Sequence, residues 1–156
     1  MSTIEVLLIV LITMFFVMFF MPVIKGVAVH VGALDIPNKR KVHKKPIARL
    51  GGLGIYAGFL LGYMIFGHES VQMNAILIGS IIIIITGIID DIKPISAKYK
   101  FLGQLVAAII IPVYGGIVLR DVSAFGIYLN FGILSYPLTI FFILGVIKIW
   151  IFTGLL

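Results

Sequence analysis

The sequence predicts an all-α protein, a polytopic bundle of about five membrane helices, and three observations support this fold class. Of the 156 residues, 62% are hydrophobic and the mean hydropathy is +1.24, whereas soluble domains are closer to half apolar. Several apolar stretches approach the ~20 residues that a helix needs to cross a bilayer. Positive charges are concentrated in two of the connections between these stretches. The chain has no cysteine, which excludes disulfides and thiolate metal sites.

Each apolar stretch predicts one membrane helix. The stretches are Ile4–Ile24, Leu50–Phe66, Ala75–Ile89, Phe101–Leu119 and Tyr136–Leu155. Three of them are short for a span, and helix tilt or snorkelling lysines can accommodate the difference. The first stretch does not read as a cleavable signal, because the only early charge is Glu5 and a signal peptide begins with basic residues.

The distribution of Lys and Arg predicts the orientation. The connection 25–50 carries seven of them, the connection 90–100 carries three, and the connection after Phe66 carries none. Because Lys and Arg accumulate in cytoplasmic loops, we expect both basic connections in the cytoplasm, the N-terminus outside and the C-terminus inside. Residues 1–156 then form a single membrane domain. The net charge of +6 reflects this topology, so no nucleic-acid partner is expected.

The first basic connection has two interpretations. As a polybasic segment it would bind anionic lipid, at about 1 kcal/mol per charge. However, it also contains Asn38, His43 and two prolines, which an electrostatic anchor does not need. It could instead form a phosphate pocket, with Arg as a planar fork and Lys as a point charge. The following Gly51-Gly52-x-Gly54 either allows close helix packing or opens a helix whose N–H groups face a phosphate.

Asp90 and Asp91 follow an isoleucine run and are the main candidate for chemistry. Ionisable residues at membrane depth are costly, and the C-terminal end of a helix already carries negative charge. A proton, cation or metal would compensate. Neighbours on a helix lie roughly 100° apart, so the two carboxylates are expected to divide their tasks. The alternative is a pair of solvated loop residues. Lys100 and Gln104, spaced i, i+4, share one face of the next helix.

The two basic connections and their flanks carry ordered motifs. These are Asp35-x-Pro37-Asn38-x-Arg40-Lys41-x-His43, Pro46, Gly51-Gly52-Leu53-Gly54, Gly87-x-x-Asp90-Asp91 and Ser96-Ala97-Lys98-x-Lys100-Phe101-x-x-Gln104. Together they resemble the polyprenyl-phosphate N-acetylhexosamine-1-phosphate transferases. This family includes the undecaprenyl-phosphate GlcNAc-1-phosphate transferases that start teichoic acid and related surface glycans of the Gram-positive cell wall.

The resemblance implies a reaction in the bacterial cytoplasmic membrane. Undecaprenyl phosphate takes a sugar-1-phosphate from a UDP-sugar, and UMP leaves; the resemblance implies GlcNAc-1-phosphate as the transferred group and Mg²⁺ as the cofactor. The implied catalytic pair, also a partial metal site, is Asp90 and Asp91. The implied substrate contacts are Asn38, Arg40, Lys41, His43, Lys44, Arg49, Lys100 and Gln104. The partners are the polyprenyl phosphate, the UDP-sugar and membrane lipids, and a homodimer remains open.

The resemblance covers Ile4 to about Val146. The family then continues with an Asn/Asp-rich motif that holds a main magnesium ligand, whereas this chain reads Ile147-Lys148-Ile149-Trp150 and soon ends. We therefore expect the N-terminal part of a larger transferase fold, inactive on its own. Two alternatives remain: a non-catalytic lipid-binding or assembly subunit, and a fragment of an ion-coupled transporter. A transporter would favour carboxylates near mid-membrane, so it ranks last.

Overall fold

The computed structural model describes residues 2–37, 45–124 and 127–153, and within them the chain forms five α-helices. The helices are α1 (Thr3–His30), α2 (Gly51–Phe66), α3 (Val71–Ile92), α4 (Ala97–Gly115) and α5 (Ser135–Thr153). Two antiparallel pairs of short strands join them, β1 (Leu34–Asp35) with β2 (Ile47–Ala48) and β3 (Asp121–Ala124) with β4 (Ile127–Asn130), and a 3₁₀ turn (Gly132–Leu134) precedes α5. Each predicted span corresponds to one helix. The strands were not predicted.

Length and composition support a membrane bundle. The helices α1, α3 and α4 are long and apolar enough to cross a membrane, and α2 is a shorter apolar helix. Large apolar side chains point outward from several helices, among them Phe19, Met64 and Phe141. Exposed apolar surface on this scale would be unusual in a soluble monomer and suits a lipid environment. The predicted all-α membrane bundle is confirmed, and its orientation in the bilayer stays a prediction.

The first helix begins at a capping box and continues past the predicted span. The Ser2 hydroxyl accepts the Glu5 backbone N–H, and the Glu5 carboxylate accepts the Ser2 N–H at 2.8 Å. These reciprocal bonds satisfy donors that a helix start otherwise leaves open. The helix runs beyond Ile24 to His30 and is followed by Gly32 at φ 74°. Lys25 therefore lies within α1 and not in the connection that follows it.

The contacts divide the chain into two compact units, of which the first comprises residues 1–68 and 84–95. Within it, α2 approaches α1 closely through Gly54, Gly58 and Gly62, which are spaced i, i+4 along one face. A Cβ atom at Gly54 would lie 3.0 Å from Met21 Cε, and one at Gly62 would lie 2.8 Å from Thr13 Cγ2. Small residues at this spacing let two membrane helices pack backbone to backbone. Gly54, Gly58 and Gly62 therefore allow α2 to pack closely against α1.

The second unit comprises residues 69–83 and 96–156. The buried face of α4 carries Gln104, Ala107, Ala108, Pro112 and Gly115. The first half of α3 packs here, since a Cβ at Gly79 would lie 3.4 Å from the Ala107 carbonyl oxygen.

The α4–α5 connection and the two helices it joins are tied by two further contacts. The Thr139 hydroxyl of α5 accepts the Leu119 N–H at 2.8 Å and donates to the Ser135 carbonyl at 2.6 Å. The Lys148 ammonium lies 5.5 Å from the centroid of the Phe101 ring, a cation–π contact between α5 and α4.

Candidate functional site

Asp90 and Asp91 lie in the last turn of α3, so their expected position at a helix exit is confirmed. Only four residues, 93–96, separate this helix from α4. The Asp90 Oδ1 atom accepts the backbone N–H of Ile95 at 3.1 Å, and the Lys93 N–H still reaches the Ile89 carbonyl at 2.8 Å. The Asp90 carboxylate thus holds the turn in which Pro94 ends the helix.

The two carboxylates are half-buried. One oxygen of Asp90 is bound to the backbone of the turn, which restricts the rotation of that carboxylate. Asp91 is rotated roughly 100° around the helix from Asp90. An ionised carboxylate has about four lone-pair positions, so the bond to Ile95 leaves Asp90 able to bind a further partner. The division of tasks between the two residues stays a prediction.

An ion pair closes the base of the first basic connection. The strands β1 and β2 pair with Leu34 opposite Ala48 and Asp35 opposite Ile47. Beyond them, the Arg49 N–H donates to the Ala33 carbonyl at 3.0 Å, and Arg49 Nη2 lies 2.9 Å from Asp35 Oδ1. The side chains are 37% and 23% exposed, respectively. Such a partly exposed pair contributes on the order of 1 kcal/mol or less, so its main effect is to fix geometry.

The end of α3 and the base of this connection are built on one hydrophobic core. That core contains Ile24, Ala28, Ala33 and Leu50, and Ile88 packs against it. Ile88 lies two residues before Asp90, while Ala33 and Leu50 flank the paired segments that Asp35 and Arg49 close. The structure thus brings the end of α3 and the base of the first basic connection into one compact unit.

The remaining predicted site residues fall into two groups. The first group, Asn38, Arg40, Lys41, His43 and Lys44, lies outside the described residues. The second, Lys100 and Gln104, lies on the first two turns of α4 in the second unit. Lys100 is half-buried. Gln104 is only 9% exposed, and its Oε1 atom has no hydrogen-bond partner among the described residues. The i, i+4 spacing correctly placed both residues at the start of one helix.

Two features of the site were missed by the sequence interpretation. Arg49 was expected to contact phosphate, and the structure shows one of its guanidinium nitrogens bound to Asp35. Its role toward phosphate stays a prediction, because a guanidinium has five donors. Asp35 itself had no assigned role. The only signal in the sequence was the opposite charge of Arg49, 14 residues further along, since strands of two residues carry no periodic pattern.

The described carboxylates fit a partial metal site. Among the described residues, no group of three or more His, Cys, Asp or Glu side chains lies close enough to hold a metal ion. Asp90 and Asp91 nevertheless supply the hard oxygen donors that Mg²⁺ prefers. Because Mg²⁺ is commonly bound by one or two carboxylates together with water and substrate phosphate, a pair of this kind is compatible with a site completed by other ligands.

Comparison with known proteins points to one family. The family model described as glycosyl transferase family 4 matches residues 73–153, which extends past Val146, where the motif resemblance ended. The chain is 41% identical over 128 residues to a probable undecaprenyl-phosphate N-acetylglucosaminyl 1-phosphate transferase of Bacillus subtilis (strain 168), covering 80% of this chain and 36% of that protein. It is 30% identical over 128 residues to the undecaprenyl-phosphate alpha-N-acetylglucosaminyl 1-phosphate transferase of Yersinia pestis, covering 81% and 35%.

A third relative has a different carrier in its name. The chain is 30% identical over 101 residues to a decaprenyl-phosphate N-acetylglucosaminephosphotransferase of Mycolicibacterium smegmatis, covering 59% of this chain and 25% of that protein. No solved structure matches the chain. The chain therefore spans about a third or less of the length of these relatives.

Proposed function

We propose that this chain, which belongs to glycosyl transferase family 4, is part of a sugar-1-phosphate transferase in the bacterial cytoplasmic membrane. In that enzyme it would bind and activate the phosphate of the acceptor lipid. The proposed substrates are undecaprenyl phosphate and a UDP-sugar, of which UDP-GlcNAc is favoured by the names of the relatives. The main supporting observation is that the end of α3 and the base of the first basic connection pack on the same hydrophobic core. Asp90 and Asp91 end a helix that packs, through Ile88, on the core beneath the basic connection.

The proposed reaction is a phosphoryl transfer. A phosphate oxygen of the lipid carrier forms a bond to the sugar-bearing phosphorus of the UDP-sugar. The bond from that phosphorus to the bridging oxygen breaks, and UMP leaves with that oxygen. In such reactions the protein mainly positions the groups and neutralises their charge. A site in which acids and cations share one core meets both requirements.

The two aspartates would divide the work. Asp90 is held by the Ile95 N–H, and a carboxylate of fixed orientation suits a ligand position for Mg²⁺. Asp91 would then accept the proton of the carrier phosphate or orient that phosphate. Mg²⁺, when bound, would neutralise charge on the diphosphate; Asp90 and Asp91 are the described residues that would hold it.

The cations would bind the phosphates. Arg49 stands at the base of the basic connection and Lys100 at the start of α4, and the family resemblance implies that both contact substrate. The proposal includes Asn38, Arg40, Lys41, His43 and Lys44 as further contacts and Gln104 as a polar contact. Charge-assisted bonds from Arg and Lys to phosphate are short and strong, which suits two substrates that both carry phosphate groups.

A chimera tests the proposal. The 128 residues that align with the Bacillus subtilis relative would replace the matching segment in that full-length protein. We expect membranes containing the chimera to release UMP from UDP-GlcNAc when undecaprenyl phosphate and Mg²⁺ are supplied. The 156-residue polypeptide alone is expected to release none. A folded chimera that keeps its full activity with both Asp90→Asn and Asp91→Asn would refute the proposal and favour a non-catalytic, lipid-binding protein.

A further inference from the structure

A groove lies between α1 and the segment that leads into α2, within the first compact unit. Its volume is about 300 Å³, at the lower end of the range for ligand pockets. On one side it is lined by Met21, Ile24, Lys25 and Ala28, and on the other by residues 46–48, Leu50 and Gly51. All lining residues except Lys25 are apolar or glycine. The groove is distinct from the carboxylates of α3, which do not line it.

Gly51 lines the groove without packing against a neighbouring helix. A Cβ atom at Gly51 would meet nothing within 4 Å, in contrast to the packing glycines Gly54 and Gly58 further along α2. Ile47, on the opposite wall, is 51% exposed. An apolar wall open to the surroundings at the end of a membrane helix is a place where hydrocarbon can enter.

Lys25 gives the groove its charge. It directly follows the apolar stretch Ile4–Ile24 and is exposed. In the part of the chain that the structure describes, Lys25 has no ion pair. Asp35 is the only acidic residue of the sequence between Glu5 and Glu69, and it is bound to Arg49. The ammonium of Lys25 can therefore attract an anionic headgroup without competition from an acidic side chain of this stretch.

We propose that this groove binds an anionic phospholipid of the surrounding bilayer, with one acyl chain along the apolar wall and the phosphate at Lys25. The groove is too small for a whole lipid and suits part of one chain. Lys25 follows the apolar span, at the level where phospholipid headgroups lie. The basic residues of the neighbouring connection, such as the exposed Lys45, add to the attraction for an anionic headgroup. This lipid would contact residues 46–48, at the base of the basic connection, and would stabilise their position.

Native mass spectrometry of the 156-residue chain, released from bilayers of mixed phosphatidylglycerol and phosphatidylcholine, tests the proposal. We expect retained phosphatidylglycerol in preference to phosphatidylcholine. Lys25→Gln should lower the apparent affinity roughly fivefold, from about 1 kcal/mol per charge. Its matched control is Lys45→Gln, which removes an equal charge from a residue that does not line the groove. Equal losses for the two variants would indicate general electrostatic attraction and would overturn the site.

A second pair of variants tests the groove by volume. Gly51→Leu should fill it and reduce phosphatidylglycerol retention, while Gly52→Leu, at a glycine that is equally unobstructed and outside the lining, should not. Circular dichroism checks that both variants keep their helices. Retention unchanged by Gly51→Leu would contradict the proposal. So would displacement of phosphatidylglycerol by an equal amount of undecaprenyl phosphate, because the groove would then belong to the carrier lipid.

Discussion

The exits from α1 and α3 are each held by an aspartate, but in different ways. After α3, Asp90 binds the backbone of Ile95, five residues ahead, and the next helix starts almost at once. After α1, Asp35 binds the side chain of Arg49, 14 residues ahead, and so closes a long basic connection. The first arrangement depends on local backbone geometry, and the second depends on one ion pair between distant residues.

This difference indicates separate roles for the two regions. A carboxylate held by the backbone of its own turn is oriented by local geometry, which suits a residue that performs chemistry. The ion pair at the base of the basic connection is partly exposed and contributes little to stability, so an anion that binds Arg49 can compete with Asp35 for its guanidinium.

The largest effect is expected on activity at the α3 exit. In the chimera with the Bacillus subtilis relative, Asp90→Asn and Asp91→Asn should each lower the rate of UMP release about 100-fold or more, because loss of an acid–base group or metal ligand removes transition-state stabilisation. The control is Asp121→Asn at the start of β3, an exposed residue outside the site, which should change the rate little. A similar loss in all three variants would mean that the carboxylates act through folding alone.

Stability should separate the anchoring role of Asp90 from its chemical role. Asp90→Ala removes the acceptor of the Ile95 N–H and should cost about 1 kcal/mol, whereas Asp90→Asn keeps an acceptor oxygen and should cost less. Unfolding of the 156-residue chain in mixed micelles by increasing denaturing detergent measures the difference. Equal stability of the two variants would show that the bond to Ile95 does not hold the turn.

At the α1 exit, we expect a smaller effect, on tryptic cleavage, and exchanging the two charges of the ion pair should reverse part of it. Arg49→Gln and Asp35→Asn should each increase tryptic cleavage between residues 36 and 48, by up to about fivefold, because the ion pair at the base is lost. The exchange Asp35→Arg with Arg49→Asp should restore part of the resistance. If the double exchange is cleaved as fast as the single variants, the pair does not close the connection.

Salt should produce the smallest effect, and only at the α1 exit. Raising the ionic strength screens a partly exposed ion pair, so tryptic cleavage of the unmodified connection should approach that of Arg49→Gln. Cleavage after Lys98, in the first turn of the helix that follows the α3 exit, is the internal control and should respond less, because a backbone bond holds the turn between the two helices. An equal salt response at both exits would remove the contrast between them.

Most of the fold could be predicted because apolar stretches mark membrane helices directly. The second span was predicted to within one residue, as Leu50–Phe66 against Gly51–Phe66. The end of α1 was missed, since the prediction stopped at the charge of Lys25 whereas a helix can continue past the apolar span. The end of α4 was also misplaced, because Gly116, at φ 64°, ends the helix before Leu119.

The site could be predicted only where its signal was local. Asp90 and Asp91 stood out because charges directly follow an isoleucine run. The pairing of Asp35 with Arg49 depends on contacts across the base of a long connection, which no short-range pattern records. The burial of Gln104 likewise follows from packing between helices, whereas its spacing from Lys100 defined only a shared face.

A disulfide crosslink shows whether the α3 exit and the base of the basic connection share one core. The chain has no cysteine, so pairs can be introduced without background. Ile88→Cys with Leu50→Cys should form an oxidative crosslink in membranes, because Ile88 packs against the core that contains Leu50. The control pair, Ile89→Cys with Leu50→Cys, places the thiol on the exposed side of α3 and should crosslink far less. Equal or reversed yields for the two pairs would contradict a shared core beneath the two regions of the proposed site.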